Sequence, residues 1–206
     1  MAGETIDLRI AELLAARLCH ELVSPIGAIA NGLEILEDEP DFAGDAGALI
    51  ALSARQASRR LQFYRIAYGS TAALADDLVR RVSLEFFAES KIGLDWRIAA
   101  LPTGWHKLAC NLVLVAAETL PRGGRIALDA GQGGGIVVTA EGEGVRLTEA
   151  IAAVIADPAN RDALSPRTVQ AAFTAALAER AGARVEIHQA NANEVTLFVK
   201  VKSGPG

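Results

Sequence analysis

The apolar positions in the first third of the chain recur with the spacing of an α-helix. Over the range Ile6–Leu36 they fall three or four residues apart, as on one face of a helix. An acidic run around Pro40 interrupts this pattern, and a second helix is predicted at Asp45–Tyr68, followed by Gly69, which suits a left-handed cap. Two helices joined by a short turn pack antiparallel, so residues 1–70 predict a helical hairpin.

A hairpin of this length buries too little apolar surface to be stable alone. We therefore expect it to pair with a second copy as a dimeric four-helix bundle. The core of that bundle would be formed by apolar residues of the first helix, namely Leu18, Leu22, Ile29 and Leu33.

From residue 71 onward the pattern alternates between helices and strands. Helices are predicted at residues 72–89, from 101–103 to about 120, at 147–156 and at 166–181, and strands at 92–98, 125–130, 136–140, 184–188 and 194–202. The glycine-rich run 131–135 links two strands without a following helix, so it predicts a turn rather than a phosphate-binding loop. The fold class is therefore α+β, with a helical hairpin (residues 1–70) beside a two-layer α/β sandwich (residues 71–206).

Composition and charge exclude several classes of protein. The chain has 206 residues, of which 51% are hydrophobic, so it can bury a core. The net charge of -5 and the absence of a Lys/Arg cluster argue against nucleic-acid binding. No signal peptide and no apolar run of membrane-spanning length are seen, so we expect a soluble cytoplasmic protein with no membrane partner. Cys19 and Cys110 lie in apolar helical patterns, which predicts buried thiols.

His20 is predicted to lie on the polar side of the first helix. At about 100° per residue, Arg17, Ser24, Gly27 and Asn31 fall within about 60° of it, whereas the leucine positions point the opposite way. A neutral imidazole is a competent nucleophile near neutral pH, and phosphoryl transfer needs mainly positioning and charge neutralisation. The alternative is that His20 is simply solvated.

Three neighbours of His20 fit such chemistry. Glu21 could hydrogen-bond one ring nitrogen and so leave the other as the nucleophile. Arg17, one turn back, supplies a cation for the phosphoryl group, and Ser24 belongs to the same surroundings.

The segment Cys19–Ile26, with the sequence CHELVSPI, resembles the phosphoacceptor box of histidine kinases. That box reads His, an acid, an apolar residue, any residue, Ser or Thr, and Pro. Proline inside a helix costs about 3 kcal/mol, and Pro25 would be retained more readily if its bend presents the neighbouring face. A tolerated kink without any role is the alternative.

The second half of the chain is similar to the ATP-binding sandwich of histidine kinases, but its nucleotide positions differ. Asn111 keeps the first Asn of the metal-binding box, and Val115 stands where the second should be. In the segment 140–144 both glycines of the next box remain, but Ala140 replaces the aspartate that reads adenine. Valine cannot hold Mg²⁺ and alanine cannot accept a hydrogen bond, so we expect neither cofactor nor metal on this chain.

An intact phosphoacceptor beside a degenerate sandwich is similar to the dimeric histidine phosphotransferases of the ChpT type. The segments 31–34 and 60–69 resemble that family too, although an Asp is frequent there where Glu21 stands. The resemblance implies a homodimer whose His20 accepts a phosphoryl group from the receiver domain of a hybrid histidine kinase and passes it to response regulators. Those regulators control the bacterial cell cycle, and Mg²⁺ would lie in the receiver.

The receiver is expected to dock on the turns that follow His20, touching Ser24, Gly27, Ala28 and Asn31, because its aspartate can reach the imidazole only if those turns are small. Glycine costs a helix about 1 kcal/mol relative to alanine, so Gly27 indicates a close approach or, equally, relief of crowding after the proline. Two other functions stay open: an ATP-dependent histidine kinase with an aberrant nucleotide site, and a non-catalytic adaptor that binds receivers.

The other notable side chains are assigned to structure rather than to chemistry. His106 is expected to be solvated or to cap a helix, and His188 to lie on the surface. Trp96 and Trp105 are expected to pack in the core or between domains.

Overall fold

The N-terminal third of the chain forms two antiparallel helices. In the computed structural model, which describes residues 8–70 and 74–202, α1 spans Leu8–Asp38 and α2 spans Ala43–Ala67, with a 3-10 turn at Pro40–Phe42 between them. Small residues let the helices approach each other: Gly32 is buried, and a Cβ on it would lie 2.7 Å from the Ile50 side chain. The predicted hairpin is confirmed.

The remainder of the described chain is a five-stranded sheet covered by helices. Its elements are α3 (Asp76–Phe87), β1 (Ile92–Trp96), α4 (His106–Glu118), β2 (Gly124–Ala130), β3 (Ile136–Glu141), α5 (Glu149–Ala156), α6 (Val169–Arg180), β4 (Ala183–Asn191) and β5 (Glu194–Val201). The strand order is β1-β2-β3-β5-β4, and only the β1–β2 pair is parallel, because α4 forms its crossover. The predicted α+β class is therefore correct.

One apolar core joins the hairpin to this sandwich. On the sandwich side it contains fully buried residues of α4 and of the sheet, such as Leu112, Ile126, Ile136 and Leu197. The same cluster includes Phe63, Ile66 and Ala67 at the end of α2, and Ile10 and Leu13 of α1 pack against it. Trp96 and Trp105 are both buried in it, as expected.

Two predictions about local backbone were wrong. The fourth helix begins at His106, not at residues 101–103, because Gly104 adopts a left-handed φ of +80° that no α-helix contains. Gly69 is not a left-handed cap; a Cβ on it would lie 2.3 Å from the Arg65 carbonyl oxygen, so close packing explains the glycine. The predicted start of the third helix, at residue 72, lies outside the described residues.

The two cysteines differ in exposure. Cys110 is buried as expected, and this burial raises the pKa of its thiol to about 12. Cys19 is exposed, contrary to the prediction. It lies about 120° round α1 from the buried Pro25, on a face that α2 does not cover.

By length and composition alone, α1 could cross a membrane. Helices of folded soluble proteins meet the same criterion. In this structure Arg17 and Glu21 of α1 form ion pairs with α4 and α2, which places α1 in the folded body.

Candidate functional site

His20 lies exposed on α1, within an open stripe of small and polar residues. Ser24, Gly27 and Asn31 are exposed as well, and Ala28 is half-buried. A Cβ built on Gly27 would meet no atom within 4 Å. A partner can therefore reach the imidazole along the turns that follow it.

Glu21 ties α1 to α2 immediately beside His20. Its Oε2 accepts a hydrogen bond from Nη1 of Arg60, and both side chains are about one-third exposed. Among the described residues no hydrogen bond joins Glu21 to His20, although the sequence predicts one. Arg60 was not singled out from the sequence, because a contact across 39 residues leaves no trace in local spacing.

Arg17 is held by the second domain. Its Nη1 donates to Oε1 of Glu118, the last residue of α4, at 2.5 Å, and both side chains are about four-fifths buried. Burial disfavours the charge on Arg17, yet the Glu118 carboxylate leaves the pKa of the guanidinium raised. Burial raises the pKa of Glu118 despite its cationic partner. The predicted cation one turn before His20 is therefore present, and it is paired with Glu118.

Asn111, the retained Asn of the would-be nucleotide box, is a fully buried structural link. Its Nδ2 donates to the carbonyl oxygens of Ala67 (2.7 Å) and Lys107 (2.8 Å). Its Oδ1 accepts from Nε2 of Gln170 at 2.7 Å, and Gln170 in turn accepts from the Tyr68 hydroxyl at 2.6 Å. Both N–H groups of Asn111 are therefore committed, one to the end of α2 and one within α4, and its amide oxygen joins α4 to α6.

The other nucleotide positions present apolar side chains or negative charge. Val115 and Ala140 are fully buried in the core. A cavity beside the retained glycines is lined by three glutamates, Glu141, Glu143 and Glu194, together with Gly142, Asn191 and Asn193. This lining repels a triphosphate, and within residues 8–70 and 74–202 no group of His, Cys, Asp and Glu is placed to hold a metal ion.

Comparison with known proteins identifies the family. A model described as the histidine phosphotransferase C-terminal domain matches residues 77–193. The protein phosphotransferase ChpT of Brucella abortus (strain 2308) is 36% identical over 190 residues, which cover 88% of this chain and 90% of that protein. This chain belongs to the ChpT-type histidine phosphotransferases. A solved bacterial phosphotransferase agrees, with 34% identity and a TM-score of 0.81 over 95% of this chain and 98% of that one.

Membership of the ChpT type makes the chain a protein phosphotransferase of two-component phosphorelays. The family model covers much of the sandwich, whereas the candidate phosphoacceptor lies on the hairpin before it. The whole-length relatives extend over both parts.

The two other histidines lie on the second domain. His188 is exposed on β4, as expected. His106 is the first residue of α4, but it is neither fully solvated nor a cap: its Nε2 lies 2.7 Å from Oδ1 of Asp76, and its side chain is only 16% exposed. The imidazole faces α3, so it takes part in packing between helices.

Proposed function

We propose that His20 carries the phosphoryl group of this phosphotransferase and that the chain uses no ATP. The observation that carries the proposal is the exposure of His20 on an open stripe, with Glu21 next to it and Arg17 one turn before it. Within a ChpT-type chain, this histidine stands in the segment that resembles a phosphoacceptor box.

The chemistry needs only the imidazole and a receiver. A lone pair on a ring nitrogen of neutral His20 attacks the phosphorus of an aspartyl phosphate. A P–N bond forms, the P–O bond to the aspartate breaks, and its electron pair leaves with the carboxylate. The other ring nitrogen keeps its proton, so the phosphorylated ring gains positive charge, which Glu21 stabilises. Arg17 and the Ser24 hydroxyl lie near enough along the helix to assist the phosphoryl oxygens.

The partners follow from this chemistry and from the family. The donor is the receiver domain of a hybrid histidine kinase, and the acceptors are response regulators, with Mg²⁺ held in the receiver's own acidic pocket. The regulators belong to cell-cycle control, and the reaction takes place in the cytoplasm. The direct test is transfer of acid-labile label from a panel of phosphorylated receivers to the whole chain; no labelling by any of them contradicts the proposal.

We also propose that the hairpin dimerises. Among the described residues, large exposed apolar side chains concentrate on it: Leu8, Val23, Ile26, Leu33, Phe42, Leu49, Leu52 and Leu61. An apolar groove on the same hairpin is lined by Leu18, Leu22, Ile29 and Leu61, together with Ala54 and Ala57. A second copy, packed as a four-helix bundle, would cover this surface. Leu33, one of the residues predicted to form the core of the bundle, is exposed in the single chain and would be covered by the second copy.

Titration with Mg²⁺ and ATP should give no saturable heat in a calorimeter. Val115 and Ala140 supply no polar ligand, Asn111 is committed to the protein, and the nearby cavity is acidic. An ATP-binding histidine kinase domain serves as the positive control. A micromolar affinity would favour the alternative of an aberrant kinase.

Substitutions at Gly27 test the docking face. Gly27→Ala should stabilise the free protein by up to about 1 kcal/mol, since a Cβ there meets open space. Gly27→Leu should block transfer while His20 is intact, because the larger side chain stands in the receiver's path. Transfer rates with one cognate receiver, beside urea unfolding curves, separate the two effects. Transfer by Gly27→Leu at the wild-type rate would place the receiver elsewhere.

A further inference from the structure

The ion pair between Arg17 and Glu118 joins the two halves of the molecule one turn from His20. Arg17 belongs to α1, whereas Glu118 ends α4 of the sandwich, and 101 residues separate them. Residues three apart on a helix are neighbours, with Cβ atoms about 5–6 Å apart. Arg17 and His20 therefore stand on adjacent turns, on the same side of α1.

Stability alone does not account for this pair. Arg17 Nε and Glu118 Oε2 are buried and find no hydrogen-bond partner within the part of the chain that the structure describes. Buried ion pairs with unsatisfied atoms contribute little net stability, and apolar replacements are frequently neutral or better. Glu118 also lies at the negative end of the α4 dipole, where a carboxylate is unfavourable.

The Arg17–Glu118 pair is suited to stabilising the charge of a phosphoryl group. Negative charge on that group is spread over its oxygens, and a guanidinium neutralises it through several N–H donors in one plane. Arg17 uses Nη1 for Glu118, and its buried Nε–H is one donor that finds no acceptor in this structure. The Glu118 carboxylate restricts the position of the Arg17 guanidinium, and it occupies only some of the guanidinium N–H donors.

We infer that Glu118 is a positioning residue for phosphoryl transfer, which holds the Arg17 guanidinium near the helix turn before His20. The inference rests on the proposed role of His20. It gives the second domain a part in the transfer, although Val115 and Ala140 stand there where a nucleotide site needs polar residues.

Three variants of the full-length chain test this role. Glu118→Gln keeps the shape of the side chain and removes its charge. The double variant Arg17→Glu/Glu118→Arg reverses the pair and moves the cation from α1 to α4. Glu89→Gln is the matched control, because it removes the partner of Arg59, an ion pair of 2.6 Å that also joins the hairpin to the second domain. Each variant is assayed with one phosphorylated cognate receiver over a range of receiver concentrations, and by urea unfolding.

Glu118→Gln should lower the maximal transfer rate by about tenfold or more, as expected when a charged group near the reacting atoms is displaced. The receiver concentration at half-saturation should stay within about twofold, since the docking turns are untouched. The reversed pair should fold yet remain slow, because no cation then stands on the turn before His20. Glu89→Gln should transfer at the wild-type rate.

Three results would overturn the inference. They are transfer by Glu118→Gln at the wild-type rate, transfer by the reversed pair at that rate, or a change in Glu118→Gln that affects only the receiver concentration at half-saturation. Should Glu118→Gln fail to fold, the reversed pair alone decides. A wild-type chain that no receiver labels would instead refute the proposed function, so the two failures are distinguishable.

Discussion

His20→Gln should fold, dimerise and accept no phosphoryl group. The wild-type imidazole is exposed, so its replacement should change the free energy of unfolding by less than about 0.5 kcal/mol. Glutamine retains a polar side chain of similar reach but has no nucleophilic nitrogen, so labelling from a phosphorylated receiver should fall to background. Acid-labile label on the intact protein, measured beside urea unfolding, gives both quantities.

The matched control is His188→Gln, which removes an exposed histidine from β4. It should be labelled like the wild type. Label on His20→Gln would show that another residue is the phosphoacceptor. A chain that loses labelling but keeps its regulatory effect in cells would favour the receiver-binding adaptor over the phosphotransferase.

Leu22→Asp should convert the dimer to a monomer. Leu22 is half-buried and lines the apolar groove of the hairpin, where a second copy would cover it. Burying a leucine contributes about 1.5–3 kcal/mol, and the substitution acts twice in a symmetric dimer. A loss of about 3 kcal/mol or more corresponds to over a hundredfold in Kd. Sedimentation velocity over a range of protein concentrations measures this change.

Ala48→Asp adds the same charge at an exposed position of α2 that does not line the groove. This variant should remain dimeric, which separates the effect of position from that of charge. Sedimentation of the wild-type chain as a monomer at micromolar concentration would contradict the dimer and the assignment of Leu22 to its interface.

Local periodicity explains how much of the fold the sequence could predict. The spacing from Leu8 onward predicted α1, because a long amphipathic helix repeats its signal many times. The strand predicted after the glycine-rich turn is present as β3, and alternate residues from Ile136 are buried in it. The predicted start of α4 was wrong. Pro102 is a favourable first residue for a helix, but the left-handed backbone of Gly104 prevents a helix from beginning before it.

The surroundings of His20 could be predicted only along its own helix. The stripe follows from helical geometry, and His20, Ser24, Gly27 and Asn31 are all exposed in the structure. The partners of its charged neighbours come from distant segments: Arg60 for Glu21, and Glu118 for the arginine before it. Such contacts depend on how α1 lies against α2 and α4, which no local spacing encodes.

The last turns of α2 belong to two structures at once. Phe63 continues the hairpin, yet its ring stacks on Phe86 of α3 at a centroid distance of 4.2 Å and is wholly buried. Ala67, one turn later, accepts a hydrogen bond at its carbonyl oxygen from Nδ2 of Asn111 in α4. The boundary predicted at residue 70 therefore lies directly after a helix end that packs against both parts of the chain. Cleavage of the chain there would expose to water the aromatic surface that α2 and α3 bury together.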